Sequence, residues 1–341
     1  MAGESIWGTG GMVMAIELWT THSLDKLFPD SEKPARAAMS IALKAGRNET
    51  EDAQVVLRIP KGVEVAAASF SFSDLVGSAG KIAKKHLSGW WEWYVYVLNN
   101  PLENRDPSSY LRKAPAFFPD AFLEQKEIAI RDEWTQPLWV SVSVPKGTPA
   151  GEYGGALIID LVTKEGEAHR FEVPVSVEVW PFTLPDKFHL HHTEWFEAET
   201  LADYYHLEAW SERHWEWIAK VAADMARHKQ DMIVTSFADL VKVTRIGSGR
   251  LRFDFSKLDR WVKTFKKAGV DWIEGGHVAR RAGGWESDIV WARFPVYKAD
   301  GRRIDTSREK LSDAEFEPYV EHLLKAVHAH LKEQGWGKRF A

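Results

Sequence analysis

The apolar positions of this chain follow two different rhythms. From about Met14 to Leu184, short β-type runs alternate with turn residues: "AQVVLRIP" (Ala53–Pro60), "VEVAAASFSF" (Val63–Phe72), "WWEWYVYVL" (Trp90–Leu98), "PLWVSVSVP" (Pro137–Pro145), "GGALIIDLV" (Gly154–Val162) and "HRFEVPVSVEVWPF" (His169–Phe182). These runs are rich in β-branched and aromatic residues, which fit a pleated, half-buried surface. In "VSVSVP" and "VPVSVEV" the alternation is strict, so one face is buried and the other is wet. Many such strands with no strong amphipathic helix between them predict an all-β sandwich. The segment "WPFTLPD" (Trp180–Asp186) carries two prolines that cannot donate to a ladder, and it reads as a strand exit and linker.

After Asp186 the period becomes helical. Ser211 is placed to cap a helix with the stripe Trp215, Ile218, Ala222 and Met225. A strand "DMIVTSF" (Asp231–Phe237) follows, then a hairpin over Val241–Phe255 that turns at Gly247-Ser248-Gly249. Ser256 to Asp259 predicts a capping box for a helix that buries Leu258, Trp261, Val262 and Phe265 and stops at Gly269. "VDWIEGG" (Val270–Gly276) reads as the next strand. A second capping box, Ser312 to Glu315, opens a helix through Phe316, Tyr319, Leu323, Val327 and Leu331 that closes at Gly335. Repeated βα units imply parallel strands, in an open sheet or in a (β/α)8 barrel. A complete barrel takes roughly 250 residues, and the chain after Pro185 has room for three of its eight units. The expected organisation is therefore a β-sandwich at 1–185 and a partial α/β barrel at 186–341.

Composition removes several classes of function. With 341 residues and no cysteine, the chain has no disulfide, thiolate ligand or cysteine nucleophile, so a metal would need His, Asp or Glu. A net charge of −5 with interspersed signs offers no basic stripe for nucleic acid. No run of eighteen apolar residues suggests a membrane span, and the N-terminus has no recognisable secretory signal, which leaves the compartment open. The 17 tryptophans are the main oddity. Each indole can fill a core, or stack on the CH face of a sugar ring.

Three places combine polar chemistry with a strand end. "KFHLHHTEWFEAE" (Lys187–Glu199) puts His189 and His191 on one side of a strand, His192 and Glu194 on the other. An HxH pair on a first barrel strand admits a metal-dependent hydrolase, although two histidines fall short of the three or four ligands that zinc takes. Zinc lost on His189→Ala and His191→Ala would mark that alternative. Glu194 and Trp195 stand at the strand exit, open to two readings: a carboxylate and an indole that bind sugar, or a solvated carboxylate and a packed ring. At "WIEGGHVARR" the candidates are Glu274, His277 and Arg280, with Arg281 equally suited to an internal ion pair. Ala282–Leu311 reads as a long loop bearing Trp285, Trp291 and Tyr297. Thr235, Ser236 and Asp239 follow the second strand without distinctive spacing. No cofactor motif is present.

Several separated blocks resemble glycoside hydrolase family 123. In the first half these are "AGRNETEDAQVVL" (Ala45–Leu57), "QPLWVSVSVPKGTPAGEYGGALII" (Gln136–Ile159) and "FTLP" (Phe182–Pro185). In the second they are Leu190–Ile218, Phe253–Arg281 and "HLKEQGW" (His330–Trp336). The resemblance implies a β-N-acetylgalactosaminidase acting on terminal N-acetylgalactosamine by retaining, substrate-assisted hydrolysis, with an N-acetylhexosamine-containing glycan as its partner. The sugar's own acetamido oxygen is then the nucleophile. It also implies an adjacent Asp-Glu pair at the end of a fourth barrel strand. That strand would begin near Lys338, and the sequence stops at Ala341. No catalytic residue can be assigned, and the chain is expected to be a truncated form, inactive by itself. The substrate-binding candidates are Glu194, Trp195, Glu274, His277 and Arg280, with no metal ligand. A noncatalytic carbohydrate-binding protein is the alternative.

Overall fold

The computed structural model describes residues 15–100, 108, 110–187, 189–247 and 249–341. The N-terminal stretch through Met14, Phe188 of the histidine segment and Ser248 of the predicted turn lie outside them. The chain forms two compact units, Met1–Pro185 and Asp186–Ala341.

The described residues of the first unit form twelve strands: β1 Glu17–His22, β2 Ile41–Arg47, β3 Glu49–Ile59, β4 Val65–Phe72, β5 Leu75–Gly77, β6 Gly80–Ile82, β7 Leu87–Val97, β8 Ala116–Phe122, β9 Glu127–Ile130, β10 Trp134–Val144, β11 Gly151–Thr163 and β12 Ala168–Thr183. They build two sheets. One has the order β1-β3-β10-β7-β8, and the other contains β2-β12-β11-β4-β9, with β5 paired to β11 and β6 paired to β5. All pairs are antiparallel except β2 with β12. Val55, Trp91 and Leu138 from one sheet share a single apolar core with Leu157, Ile159 and Val175 from the other. All six predicted strands are present. Those the pattern missed are mostly short, or, like β8, contain a proline and an aspartate.

Glu92 on β7 is only 7% exposed. Its Oε1 is buried without a hydrogen-bond partner among the described residues. Burial raises its carboxyl from the ordinary 4.5 to about 7, against the weaker opposite pull of Lys26.

The second unit opens with β13 (Thr193–Glu194), α1 (Ala198–Tyr204) and α2 (Glu212–Arg227). Next come β14 (Met232–Thr235), the single turn α3 (Phe237–Leu240), the hairpin β15 (Lys242–Ile246) and β16 (Arg250–Asp254), and α4 (Ser256–Ala268). β17 (Trp272–Gly275), β18 (Ala279–Arg281), β19 (Ile289–Trp291), β20 (Val296–Lys298), β21 (Arg303–Ile304) and α5 (Asp313–Glu333) complete it. β13, β14 and β17 are parallel neighbours in that order. On the far side of β17, Phe340 bridges Ile273 in parallel, and the Gly275 and Ala341 amides donate to Ala341 and Ile273 carbonyls.

The helical stripes fold as their spacing predicts. Trp215, Ile218 and Ala222 of α2, Leu258, Trp261, Val262 and Phe265 of α4, and Phe316, Leu323, Val327 and Leu331 of α5 share one core with Ile233 and Ile273 of the strands. Each large side chain fully buried there contributes about 1.5–3 kcal/mol. The Ser211 hydroxyl accepts the His214 amide, and the Ser312–Glu315 capping box is complete. Gly269 ends α4 at φ 112°, a left-handed conformation suited to glycine.

Two expectations are corrected. Ser256 is the first residue of α4 and not its cap; Asp254, two residues earlier, accepts the Ser256 amide instead. Ala282–Leu311 is not structureless: β20 pairs in parallel with β15, giving the sheet β16-β15-β20-β21, while β18 and β19 form a separate hairpin. Strands of two or three residues are too short for an alternation to show.

The sign of the Glu92 effect follows from its raised pKa. The folded state binds the proton more tightly, so stability is fully present below about pH 4.5 and is lost as pH rises to about 7. Glu92→Gln cannot ionise, and its unfolding free energy in urea should gain on the native chain by about 3 kcal/mol between about pH 4.5 and about pH 8. A pH-independent difference would contradict this.

Candidate functional site

Parallel strands bring their C-terminal ends to one edge, where the following loops converge. In the second unit the convergence forms a cleft of about 970 Å³. Trp195 enters from the end of β13, Ser236 and Asp239 from the end of β14, and Gly276 and His277 from the end of β17.

The histidine segment is organised around Asp231. One carboxylate oxygen accepts the His192 amide at 2.9 Å, and the other lies 2.6 Å from His191 Nδ1. The His191 ring also lies on Trp272, centroid to centroid 3.9 Å. His192 Nε2 meets Glu194 Oε1 at 3.0 Å. Among the described residues, no group of three or more His, Asp or Glu side chains is placed to hold a metal ion. His191 is thus held between Asp231 and Trp272 at the start of the parallel strands.

Of the predicted residues, Trp195, His277 and Arg280 line the cleft, as does Arg281. The Trp195 indole is 69% exposed and meets the His277 ring edge-on at 5.1 Å. Glu194 does not line the cleft. Strand alternation puts it on the His192 side, where it forms its hydrogen bond. Glu274 does not line it either; it is partly buried on β17 beside Val234, a lining residue of β14. Its Oε2 is enclosed without a partner among the described residues. Arg280 makes no ion pair among the described residues, whereas Arg281 donates from Nη1 to the Ser287 carbonyl at 2.9 Å.

The aromatic wall was not legible in the sequence. Phe196 stacks on Trp261 at 6.0 Å and 13°, and Trp210 packs edge-on to Trp261 at 6.3 Å. Trp261 donates from Nε1 to Thr235 Oγ1 at 3.2 Å, fixing the ring against the end of β14. Trp210 has φ 65°, uncommon for a bulky residue. Its amide donates to His214 Nδ1 at 2.8 Å, so Nε2 carries the ring proton and donates to the Ala198 carbonyl at 2.8 Å. His214 is fully buried in this role. It links α1 to α2 and holds Trp210 at the cleft. A helical stripe reveals that Trp261 is buried, but not that it backs a cleft.

The cleft carries both signs of charge. Glu197 and Glu199 at the start of α1 and Asp239 of α3 line it together with Arg280 and Arg281 of β18. Lys257, with its ammonium 4.3 Å above the Trp210 ring, is pulled below the ordinary lysine pKa by burial, opposed by Glu199 and Asp239. Carboxylates accept from hydroxyl groups, and the guanidinium and imidazole can donate to hydroxyl or carbonyl oxygens. With exposed indole at the same place, this is a set of groups suited to a polar ring with an apolar face.

Gly276 sets how closely β17 approaches β14. Its amide donates to the Thr235 carbonyl at 2.9 Å. A Cβ there would lie 2.9 Å from Ser236 Cα and 3.1 Å from the Thr235 oxygen, both backbone atoms. Gly276→Ala should therefore destabilise the unit by about 1–3 kcal/mol, read as a lower melting temperature. An unchanged melting temperature would show that the strand ends are free to separate.

Two family models match the sequence in succession. The glycoside hydrolase 123 N-terminal domain matches residues 21–161, and the glycoside hydrolase 123 catalytic domain matches residues 195–340. Among solved structures, a family 123 glycoside hydrolase from Clostridium perfringens, described for glycolipid glycan hydrolysis, is similar with a TM-score of 0.72 at 16% identity. The match covers 96% of this chain and 58% of that one, so the chain shares that fold over little more than half of the other's length. A PapD-like domain of human CEP192 matches with a TM-score of only 0.26 at 9% identity, covering 52% of this chain and 98% of that one. A search of curated proteins gave no match.

Proposed function

Since the chain belongs to glycoside hydrolase family 123, we propose that the cleft of the second unit binds a terminal N-acetylhexosamine, N-acetylgalactosamine first among them, at the end of a glycan. The observation that carries this reading is the exposed Trp195 indole beside His277, at the C-terminal ends of parallel strands, in a cleft lined by both carboxylates and guanidinium groups. Trp195 stacks on the apolar face of the sugar. His277 and Arg280 donate to its hydroxyl or acetamido oxygens, and Glu197, Glu199 and Asp239 accept from its hydroxyls. Glu274 supports the floor between β14 and β17. Glu194 remains tied to His192 at the strand edge.

In this reading the first unit is a β-sandwich and the second is the opening part of a (β/α)8 barrel. The sequential parallel order β13-β14-β17, continued by the Phe340 bridge, supports it. Hydrolysis assisted by the substrate's own acetamido group needs one carboxylate to orient that group and one acid to protonate the leaving oxygen. No adjacent Asp-Glu pair occurs from Asp186 to Ala341. In this reading the cleft residues bind and orient the sugar.

Calorimetric titration with N-acetylgalactosamine tests the assignment. The native chain should bind, and Trp195→Ala should weaken binding by about tenfold, the equivalent of ~1.4 kcal/mol of lost stacking and apolar contact. No measurable binding, or equal affinity in the variant, would overturn it. Bound zinc removed by His191→Ala would favour the metal-dependent hydrolase instead.

A further inference from the structure

We propose that the outer face of the five-stranded sheet in the first unit is a glycan-binding surface of its own, which holds a β-linked chain of neutral sugars on the rings of Trp90, Phe122 and Trp139. It does not rest on the sugar-binding reading of the cleft.

Alternation along the strands gives this face two zones. Trp91 of β7 and Leu138, Val140 and Val142 of β10 belong to the core, so Trp90, Trp139, Ser141 and Ser143 point outward. Trp139 lies opposite Trp90 in the ladder, and Phe122 of the edge strand β8 stacks on Trp90 at 5.7 Å and 19° and meets Trp139 at 5.3 Å. The three rings form one patch. Beside it runs a polar row: Ser141, opposite both Asp52 and Ser88, hydrogen-bonds the Asp52 carboxylate, and the Ser143 hydroxyl lies 2.8 Å from that of Thr50. Lys126 places its ammonium 5.7 Å from the Trp90 ring centre.

Elsewhere the same face is closed by the chain itself. Leu27 packs with Trp19 and Val56, the Gln54 side chain donates to the His22 and Asp25 carbonyls, and Arg58 donates to that of Pro29. Gln54 is 1% exposed and lies opposite Trp139. Across the ladder from it the rings stand open, Trp90 and Trp139 in part and Phe122 to 46%.

The surroundings of the rings select the occupant. An apolar partner would strip water from Asp52, Thr50 and Ser143 without replacing its hydrogen bonds. A sugar gives CH faces to the rings and hydroxyl groups to the row. Asp52 and Lys126 oppose each other in charge, which suits a neutral chain better than a polyanion. Sugars joined by β-linkages with equatorial substituents offer the flat faces that a patch of rings can stack on.

The test titrates cellotetraose and the β-linked tetrasaccharide of N-acetylglucosamine calorimetrically into the full chain carrying Trp195→Ala, which weakens the cleft. At least one should bind, and adding Trp139→Ala or Phe122→Ala should weaken it about 3–10-fold, as the loss of one aromatic contact allows. Phe122 stands half exposed on an edge strand, so its variant gives the reading even where Trp139→Ala does not fold. No binding of either tetrasaccharide, or binding that both added changes leave intact, overturns the proposal. A native dimer in sedimentation that Phe122→Ala dissociates also overturns it, because the face is then a contact between copies. Titration of N-acetylgalactosamine into the cleft is read separately, so either site can fail without the other.

Discussion

The second unit depends on a knot at Asp231. Its carboxylate accepts the His192 amide and meets the His191 ring, its backbone amide and that of Met232 donate to the His192 carbonyl, and its own carbonyl accepts the Trp272 amide. One residue thereby fixes the starting register of three parallel strands. Register matters here because a slip by one residue would exchange the two faces of every strand. With it fixed, Ile233 and Ile273 point into the core shared with α2 and α4. Val234 turns to the opposite face and into the cleft wall, with Glu274 beside it.

The cleft follows from that register with little further specification. The strands end together, so Trp195, Ser236 and His277 emerge at one edge. The remaining positioning is done by buried groups that never meet a ligand. His214 links two helices while holding Trp210 in an uncommon backbone conformation, Thr235 anchors Trp261, and the absence of a side chain at Gly276 lets β17 lie close to β14. The polar interior of this unit therefore serves the geometry of the cleft as well as stability.

How much of this was legible in the sequence depends on the range of the signal. Periodicity located the helix stripes and long strands because each is a local pattern repeated over two or more turns or pleats. The change of period near Asp186 likewise coincides with the division into compact units. Trp195, His277 and Arg280 follow strand ends, which the pattern of strands locates, and all three line the cleft. Glu194 was paired with its neighbour by the same reasoning and stands away from the cleft lining, because adjacent residues of a strand face opposite ways. Trp210, Trp261 and the short strands β18 to β21 escaped, since their roles come from contacts between segments far apart in sequence. The histidines form a visible cluster in the sequence, yet the partner of His191 and of the His192 amide is Asp231, some forty residues further on.

A sugar site at the strand-end cleft of the second unit would be visible directly. A crystal structure of the chain soaked with N-acetylgalactosamine tests it most directly. The ring's apolar face should lie against Trp195, with its polar atoms within hydrogen-bond distance of His277 and Arg280. A sugar bound elsewhere on the chain, or a cleft that stays empty at saturating sugar, would contradict it.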